Sequence, residues 1–377
     1  MNSNHKILLA PLQGFTDYRF RKCFLKYFGG IDACYAPYIR LTNDKEIKKS
    51  QKLDILPENN VGMPVKPQLM VNSVDDFMLV ANYVKSLGYD EINWNMGCPY
   101  PMVAKRSLGA GLLEQPEKIK SLLEEIIPIS PLKIGMKMRM GYEDTSDILK
   151  IIPFLNDMPI TEVIIHARYA KQLYKKGLDY DRFNECIALS KHELTYNGDI
   201  NSIDDFNRLK EMFPKTKSWM LGRGVVSDPF LPQMIKSGNK AYPDNRKEIF
   251  KQFHDELFED YRSYLSGERQ VLMKMTSFWE YFSMSFENGR KIYKGFKKSK
   301  TLDKYDDAFR FFSRFRNLIF YKLSFKSFIF KGFSIVKPSP NSALINLPNS
   351  RERAFMKSKK SIPLMGVLGS LLSGLQN

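Results

Sequence analysis

Cysteine is scarce. Four residues, Cys23, Cys34, Cys98 and Cys186, are spread through 377 positions with no C-x-x-C pair. That spacing excludes a disulfide framework and the usual pattern of a zinc or iron–sulfur site, so no metal is expected and a reducing compartment fits. Long apolar runs are lacking too. No stretch approaches the ~18 apolar residues of a membrane span, and the opening MNSNHKILLAPL is cut by Pro11 too early for a secretory signal. A soluble, cytoplasmic protein without a membrane partner is therefore expected. Acidic residues are in deficit: Lys plus Arg is 58 against 41 Asp plus Glu, a net charge of +17. Such a balance favours a polyanionic partner over a small neutral substrate alone and leaves RNA, DNA and lipid open. There is no G-x-G-x-x-G dinucleotide fingerprint and no internal repeat. Oligomeric state is not legible.

What is present suffices for a sizeable core, with 43% hydrophobic residues and length for one large domain plus a smaller one. Strand-like runs near 7–10, 33–37, 66–70, 91–95, 134–138, 162–166, 193–197 and 218–222 alternate with helical stretches such as 74–87, 116–127, 146–155 and 203–212. Eight strands with intervening helices predict a (β/α)8 TIM barrel, with a doubly wound open sheet as the structural alternative. Unusual residues favour the barrel. Pro11, Leu12, Gln68, Asn95 with Cys98, Lys137 with Arg139, His166 with Arg168, Asn197 with Asp199, and Gly222-Arg223-Gly224 all fall at or just past the C-terminal end of a proposed strand. That face carries the active site in barrel enzymes.

Past Asn245 the rhythm changes. Apolar and aromatic residues at three-and-four spacing in FHDELFEDYRSYL (253–265) and FWEYFSMSF (278–286) predict a smaller C-terminal helical domain whose aromatic stripe is core. Residues 290–331 hold 13 Lys or Arg against 3 Asp, interleaved with Tyr293, Phe296, Phe311, Phe315 and Tyr321, and read as a phosphate-backbone surface. The expected division is a barrel over residues 1–243, a helical domain carrying that basic surface over 244–333, and a tail over 334–377 that is largely disordered.

The stretch NWNMGCPYPMVAKRSLGAGLL (93–113) organises the rest. A strand breaks at Gly97-Cys98-Pro99 and presents one thiol; Lys105 and Arg106 follow, then Gly109-Ala110-Gly111. A lone thiol at a strand end is ordinarily a small buried hydrophobe, but this loop resembles the signature of the tRNA-dihydrouridine synthases, flavoenzymes that reduce particular uridines in tRNA. LAPLQGFTD (9–17), PQLM (67–70), KMRMGY (137–142), IHAR (165–168), YNGDI (196–200) and LGRG (221–224) match in order, over roughly residues 5–325. Val71 and Trp94 depart from that pattern.

The resemblance implies FMN as cofactor, NADPH or NADH as reductant, and tRNA as partner. Gly222, Arg223 and Gly224, with Asn197 and Asp199, would hold the phosphate and ribityl region. Gln68 and Lys137 would address the flavin ring, Pro11 and Leu12 would line it, and His166 would flank it. The implied reaction reduces the uracil C5=C6 bond, with hydride from the flavin to C6 and a proton from Cys98 to C5. A thiol near its unperturbed pKa of ~8.5 stays mostly protonated at neutral pH, as a donor must. Asn95, Lys105, Arg106, Arg139 and Arg168 are the substrate-binding candidates. Two alternatives stand beside this: a flavin-dependent barrel oxidoreductase acting on a free pyrimidine or enone, and a non-catalytic RNA-binding barrel.

Overall fold

The computed structural model describes residues 5–175 and 177–313. In chain order they form β1 (Lys6–Leu9), α1 (Tyr18–Tyr27), β2 (Ala33–Tyr35), α2 (Lys49–Ile55), β3 (Val65–Lys66), β4 (Gln68–Leu69), α3 (Val74–Ser86), β5 (Glu91–Met96), α4 (Pro101–Ala104), α5 (Pro116–Ile126), β6 (Lys133–Gly141), α6 (Ile148–Leu155), β7 (Ile160–Tyr169), α7 (Tyr180–Leu189), β8 (Leu194–Asn197), α8 (Ile203–Met212), β9 (Ser218–Leu221), α9 (Arg223–Ser227) and α10 (Leu231–Ser237). Helices α11 (Arg246–Tyr264), α12 (Glu268–Phe282), α13 (Gly289–Lys298) and α14 (Leu302–Ser313) follow. Residues 314–333 of the expected helical domain and the expected tail, 334–377, lie outside the described residues.

All strand pairs are parallel, in the order β3-β2-β1-β9-β8-β7-β6-β5-β4. The eight expected strands become nine because Pro67, which has no N–H, interrupts the third. Its two halves take different neighbours: β3 pairs with β2 and β4 with β5. One interrupted strand therefore closes the ring, and the open-sheet alternative is excluded. Asn93 donates its backbone N–H to the Pro67 carbonyl at 2.9 Å, and Ile39 lays one further bridge on Leu69.

The strand sequences show why the barrel forms with a partly polar interior. Ile7 and Leu9, Trp94 and Met96, Met136 and Met138, Val163 and Ile165 point outward into the layer beneath the helices, while Leu8, Ala33, Tyr35, Ile164 and Met220 form a small separate cluster inside. Most of the alternate positions of β5, β6 and β7 are polar, among them Asn93, Asn95, Lys137, Glu162 and His166, as a period of two allows when apolar residues serve the outer layer. Inside, Glu162 accepts from Tyr35 at 2.7 Å, from Asn93 at 3.1 Å and from Lys66 at 3.0 Å. Trp94 faces out, packs 5.2 Å from Phe77 of α3 and donates to the Val71 carbonyl at 3.1 Å. The two departures from the family pattern thus meet in one hydrogen bond.

Helices α11 and α12 pack on α1 through aromatic residues, α13 and α14 pack on α11 and α12 in turn, and here the stripe is core as expected. Phe253 lies 5.9 Å from Phe20 and 5.0 Å from Phe28, and Trp279 stacks on Phe296 at 3.8 Å. Phe296 is therefore a core residue, which corrects its placement on the basic surface: Ile292 and Phe296, four apart on α13, both turn inward. Arg290, Lys291, Lys294, Lys297, Lys298, Lys300, Lys304 and Arg310 are exposed. Among the described residues no helix is long and apolar enough to cross a membrane.

Candidate active site

The loop after β1 is a knot of short bonds. Thr16 Oγ1 accepts from the Leu12 N–H at 2.8 Å and donates to the Ala10 carbonyl at 3.1 Å, which folds Pro11 and Leu12 over the end of the strand. Asp17, next in sequence, caps α1. Its carboxylate also accepts from Tyr261 at 2.6 Å and Lys274 at 3.1 Å, and Lys274 donates to the Gly14 carbonyl at 2.8 Å. The C-terminal helices are thereby fastened to the loop that lines the barrel mouth.

On one side of the mouth, side-chain amides lead from Glu162 to the thiol. Asn93 bridges Glu162 and Gln68, Gln68 accepts from Asn95 at 2.8 Å, and Asn95 Oδ1 accepts from the backbone N–H of both Gly97 and Cys98 at 3.0 Å. Arg139 donates Nε to the Gly97 carbonyl at 3.1 Å and Nη1 to the Tyr169 and Leu173 carbonyls at 2.9 Å. Gly109, at φ +56°, presses on the cysteine from below, where a Cβ would fall 2.8 Å from Cys98 Cβ. The thiol is buried, and burial pushes its pKa up; the Tyr100 N–H, the Tyr38 hydroxyl, Arg139 and Arg40 oppose this without reversing it. Cys98 is thus a thiol and not a thiolate at neutral pH, as a proton donor requires.

The other side is cationic. Asp199 receives Arg168 and Arg223, each at 2.6 Å, and these two arginines hold its carboxyl below the usual range in spite of burial. Asn197 donates to the Met220 carbonyl at 2.8 Å. The loops after β8 and β9 touch at Gly224, where a Cβ would come within 2.1 Å of the Ile200 carbonyl oxygen, so only glycine fits. Arg168 Nη1 lies 3.5 Å from His166 Nε2. Burial, together with Arg139, Lys137, Arg168 and Arg223, holds His166 well below its ordinary pKa, which leaves a neutral imidazole. Lys137 is pushed down to about 7 by burial and by Arg139.

The structure therefore gathers Gln68, Asn95, Cys98 and Arg139 into one connected set, and His166, Arg168, Asp199 and Arg223 into another, with Lys137 coupled to Arg139 and His166 between them. Lys105 and Arg106 stand apart, exposed on the turn after α4. Three features escape the sequence reading. Asn93 and Glu162 are legible only in the polar alternation of β5 and β7. Tyr174, in the loop after β7, lays its ring 4.1 Å from the Arg223 guanidinium and 5.2 Å from that of Arg139, and nothing in the sequence marks it. Tyr38, three residues past β2, brings its hydroxyl to 3.6 Å from Cys98 Sγ.

The donor set fits an anionic ligand. The Lys137 ammonium has neither a hydrogen-bond acceptor nor a carboxylate partner among the described residues, and it lies in a mouth that also holds Arg139, Arg168 and Arg223. A phosphate would supply Lys137 with a counter-charge and restore its own.

The fold is a closed (β/α)8 barrel whose mouth brings a buried thiol together with a cluster of cations. Residues 8–313 match the model of the dihydrouridine synthase family, and the chain belongs to that family. It is similar to proteins named tRNA-dihydrouridine(16) synthase from Neisseria meningitidis serogroup A, 30% identical over 63% of this chain and 73% of the relative, and from Pseudomonas syringae pv. tomato, 27% identical over 63% and 76%. A solved morphinone reductase in complex with tetrahydroNAD aligns over 66% of this chain and 90% of its own at 11% identity and a TM-score of 0.41, too loose a likeness to bear on the site.

Proposed function

We propose that this chain reduces the C5=C6 bond of uridine in tRNA, at position 16, the position in the names of the relatives above. The observation that carries the reading is that one residue, Arg139, ties the loop of a protonated Cys98 to the same mouth as the cationic set. Gly222, Arg223 and Gly224, with Asn197, take the phosphate and ribityl chain of FMN, and Asp199 aims Arg223 at them. Gln68 and Lys137 meet the ring, Pro11 and Leu12 line it, and neutral His166 flanks it. Bound FMN, reloaded by NADPH or NADH, supplies the hydride for uracil C6. Cys98 gives its proton to C5, where enolate character has formed, and leaves as a thiolate. Asn95 and Arg168 hold the base, while Lys105, Arg106 and the exposed cations of α13 and α14 meet phosphates. Those contacts offset the few kcal/mol needed to unstack a uridine.

The test is nucleoside mass spectrometry of tRNA lacking the modification, after incubation with the protein and NADPH. Wild type is expected to form dihydrouridine at position 16, and Cys98→Ala to form it at least ~100-fold more slowly, the usual weight of a positioned general acid. No dihydrouridine from flavin-loaded wild type with intact tRNA refutes the reading.

A further inference from the structure

Cys98 and Tyr38 reach each other from different strands, and both are fixed before they meet. The Cys98 backbone is held by Asn95 Oδ1 at its N–H and by the Ala110 N–H, 3.0 Å away, at its carbonyl, with Gly109 packed against its Cβ. Tyr38 is held through its neighbour. Ile39 donates to the Gln68 carbonyl at 2.7 Å and accepts from Met70 at 2.9 Å, so the segment past β2 stays laddered to β4 after β2 itself has ended. Cys98 belongs to a small buried cluster with Met70 and Val103, and Tyr38, half-buried, packs against it with Tyr100 and Leu108. Within it the phenol oxygen stands 3.6 Å from the sulfur.

We infer that Tyr38 is a positioning residue for the proton transfer: its hydroxyl donates to Cys98 Sγ, leaves the S–H free to face the base, and holds the thiolate that remains once the proton has gone to uracil C5. Direction follows from the acidities. Burial, Cys98 itself and its hydrogen bond all push the Tyr38 phenol far above its ordinary value, so it keeps its proton throughout, and once the sulfur is a thiolate Tyr38 is the one of the two that can donate. A thiol accepts such a bond weakly and a thiolate strongly. The bond therefore grows as the proton leaves, which is the difference between ground and transition state that accelerates a step. It also explains how a thiol raised by burial can still release its proton. The other groups facing the sulfur are the Tyr100 N–H and the charges of Arg139 and Arg40; both arginines are more diffuse sources than a hydroxyl in contact. No proton is moved through Tyr38. The thiolate is reprotonated by water after the product leaves, and atoms and charge balance without a further reagent.

The inference rests on the proposed reduction for its catalytic part, and its test has an arm that does not. The pH dependence of iodoacetamide alkylation at the Cys98 peptide, read by mass spectrometry on flavin-loaded protein without RNA, titrates this thiol apart from buried Cys23, Cys34 and Cys186. Tyr38→Phe is expected to raise the Cys98 pKa by about one unit, a tenfold change in thiolate fraction at a given pH. The same variant is expected to lower kcat about tenfold with KM for tRNA and the rate of flavin reduction by NADPH unchanged. Tyrosine fluorinated at the 3-position, installed at residue 38, keeps the ring and strengthens the donor, and is expected to move the thiol the other way. An unchanged Cys98 titration in both variants overturns the inference, as does a Tyr38→Phe defect confined to KM. An inactive wild type with the shifts intact would refute the reduction and leave the Tyr38–Cys98 bond standing.

Discussion

At the scale of single residues, the mouth of the barrel is governed by where charge is permitted. Lys137 is pushed down to about 7 by burial and by the charge of Arg139, so its charge is lost near neutrality. An anionic ligand prefers the charged form. The sign follows: below pH 7 the ammonium is already present and binding is at its tightest, and as pH rises through 7 each binding event must also take up a proton, so affinity falls by up to tenfold per unit. Titrating FMN-free protein with FMN between pH 6 and 9, by flavin fluorescence, should trace that loss. Lys137→Met should bind more weakly at pH 6 and show a flatter profile; a wild-type affinity independent of pH would remove this account. His166 cannot supply the same dependence, since its pKa lies well below the ordinary histidine range and it is already neutral across this window.

At the scale of elements, Asp17 serves at once as the cap of α1 and as the acceptor for Tyr261 and Lys274 of α11 and α12. Burial alone would raise its carboxyl, but Lys274 and Tyr261 bring it below the ordinary value. Losing the cap costs about 0.5–2 kcal/mol, and orphaning buried partners about 1–3 kcal/mol. Asp17→Ala is therefore expected to lower the unfolding free energy by roughly 2–4 kcal/mol in urea titration, and to expose the segment between α10 and α11 to limited proteolysis. A change below ~0.5 kcal/mol, the usual size for a neutral surface site, would show the clasp to be incidental. The same elements show what the sequence discloses. The proposed strands at 91–95 and 218–222 became β5 and β9 with ends within one residue, and the helix at 203–212 was met in full, because hydrophobic period and loop chemistry are local. Cys98 and the GRG turn stood out for the same reason. Asp17 was visible only as the end of a family block, since its partners lie 244 and 257 positions away. Tyr38 was invisible because its value depends on a ladder that outlasts its own strand. Phe296 was misplaced because its lysine neighbours are exposed and it is not.

At the scale of the molecule, charge and shape divide the work. The acids that face the barrel interior are matched to Lys66 and to arginines, whereas α13 and α14 carry their lysines outward from an aromatic core. If those helices meet the RNA backbone, Lys294→Ala, Lys297→Ala and Lys298→Ala together should weaken tRNA binding at low salt and reduce the slope of log affinity against log salt by about two to three, about 0.7–0.9 for each phosphate no longer neutralised. An unchanged slope in filter binding would place the RNA elsewhere. The interruption at Pro67 has a consequence of another kind. A ring of strands is as strong as its thinnest joint, and here the joint is two residues of β3 and two of β4 set side by side around a proline. Gln68, one residue beyond it, is buried and ties the joint to β5 by donating to Asn93 and accepting from Asn95. On the proposed reading, in which Gln68 meets the flavin ring, the cofactor would lie across the joint like a keystone, and the molecule the barrel holds would also complete the arch that holds it.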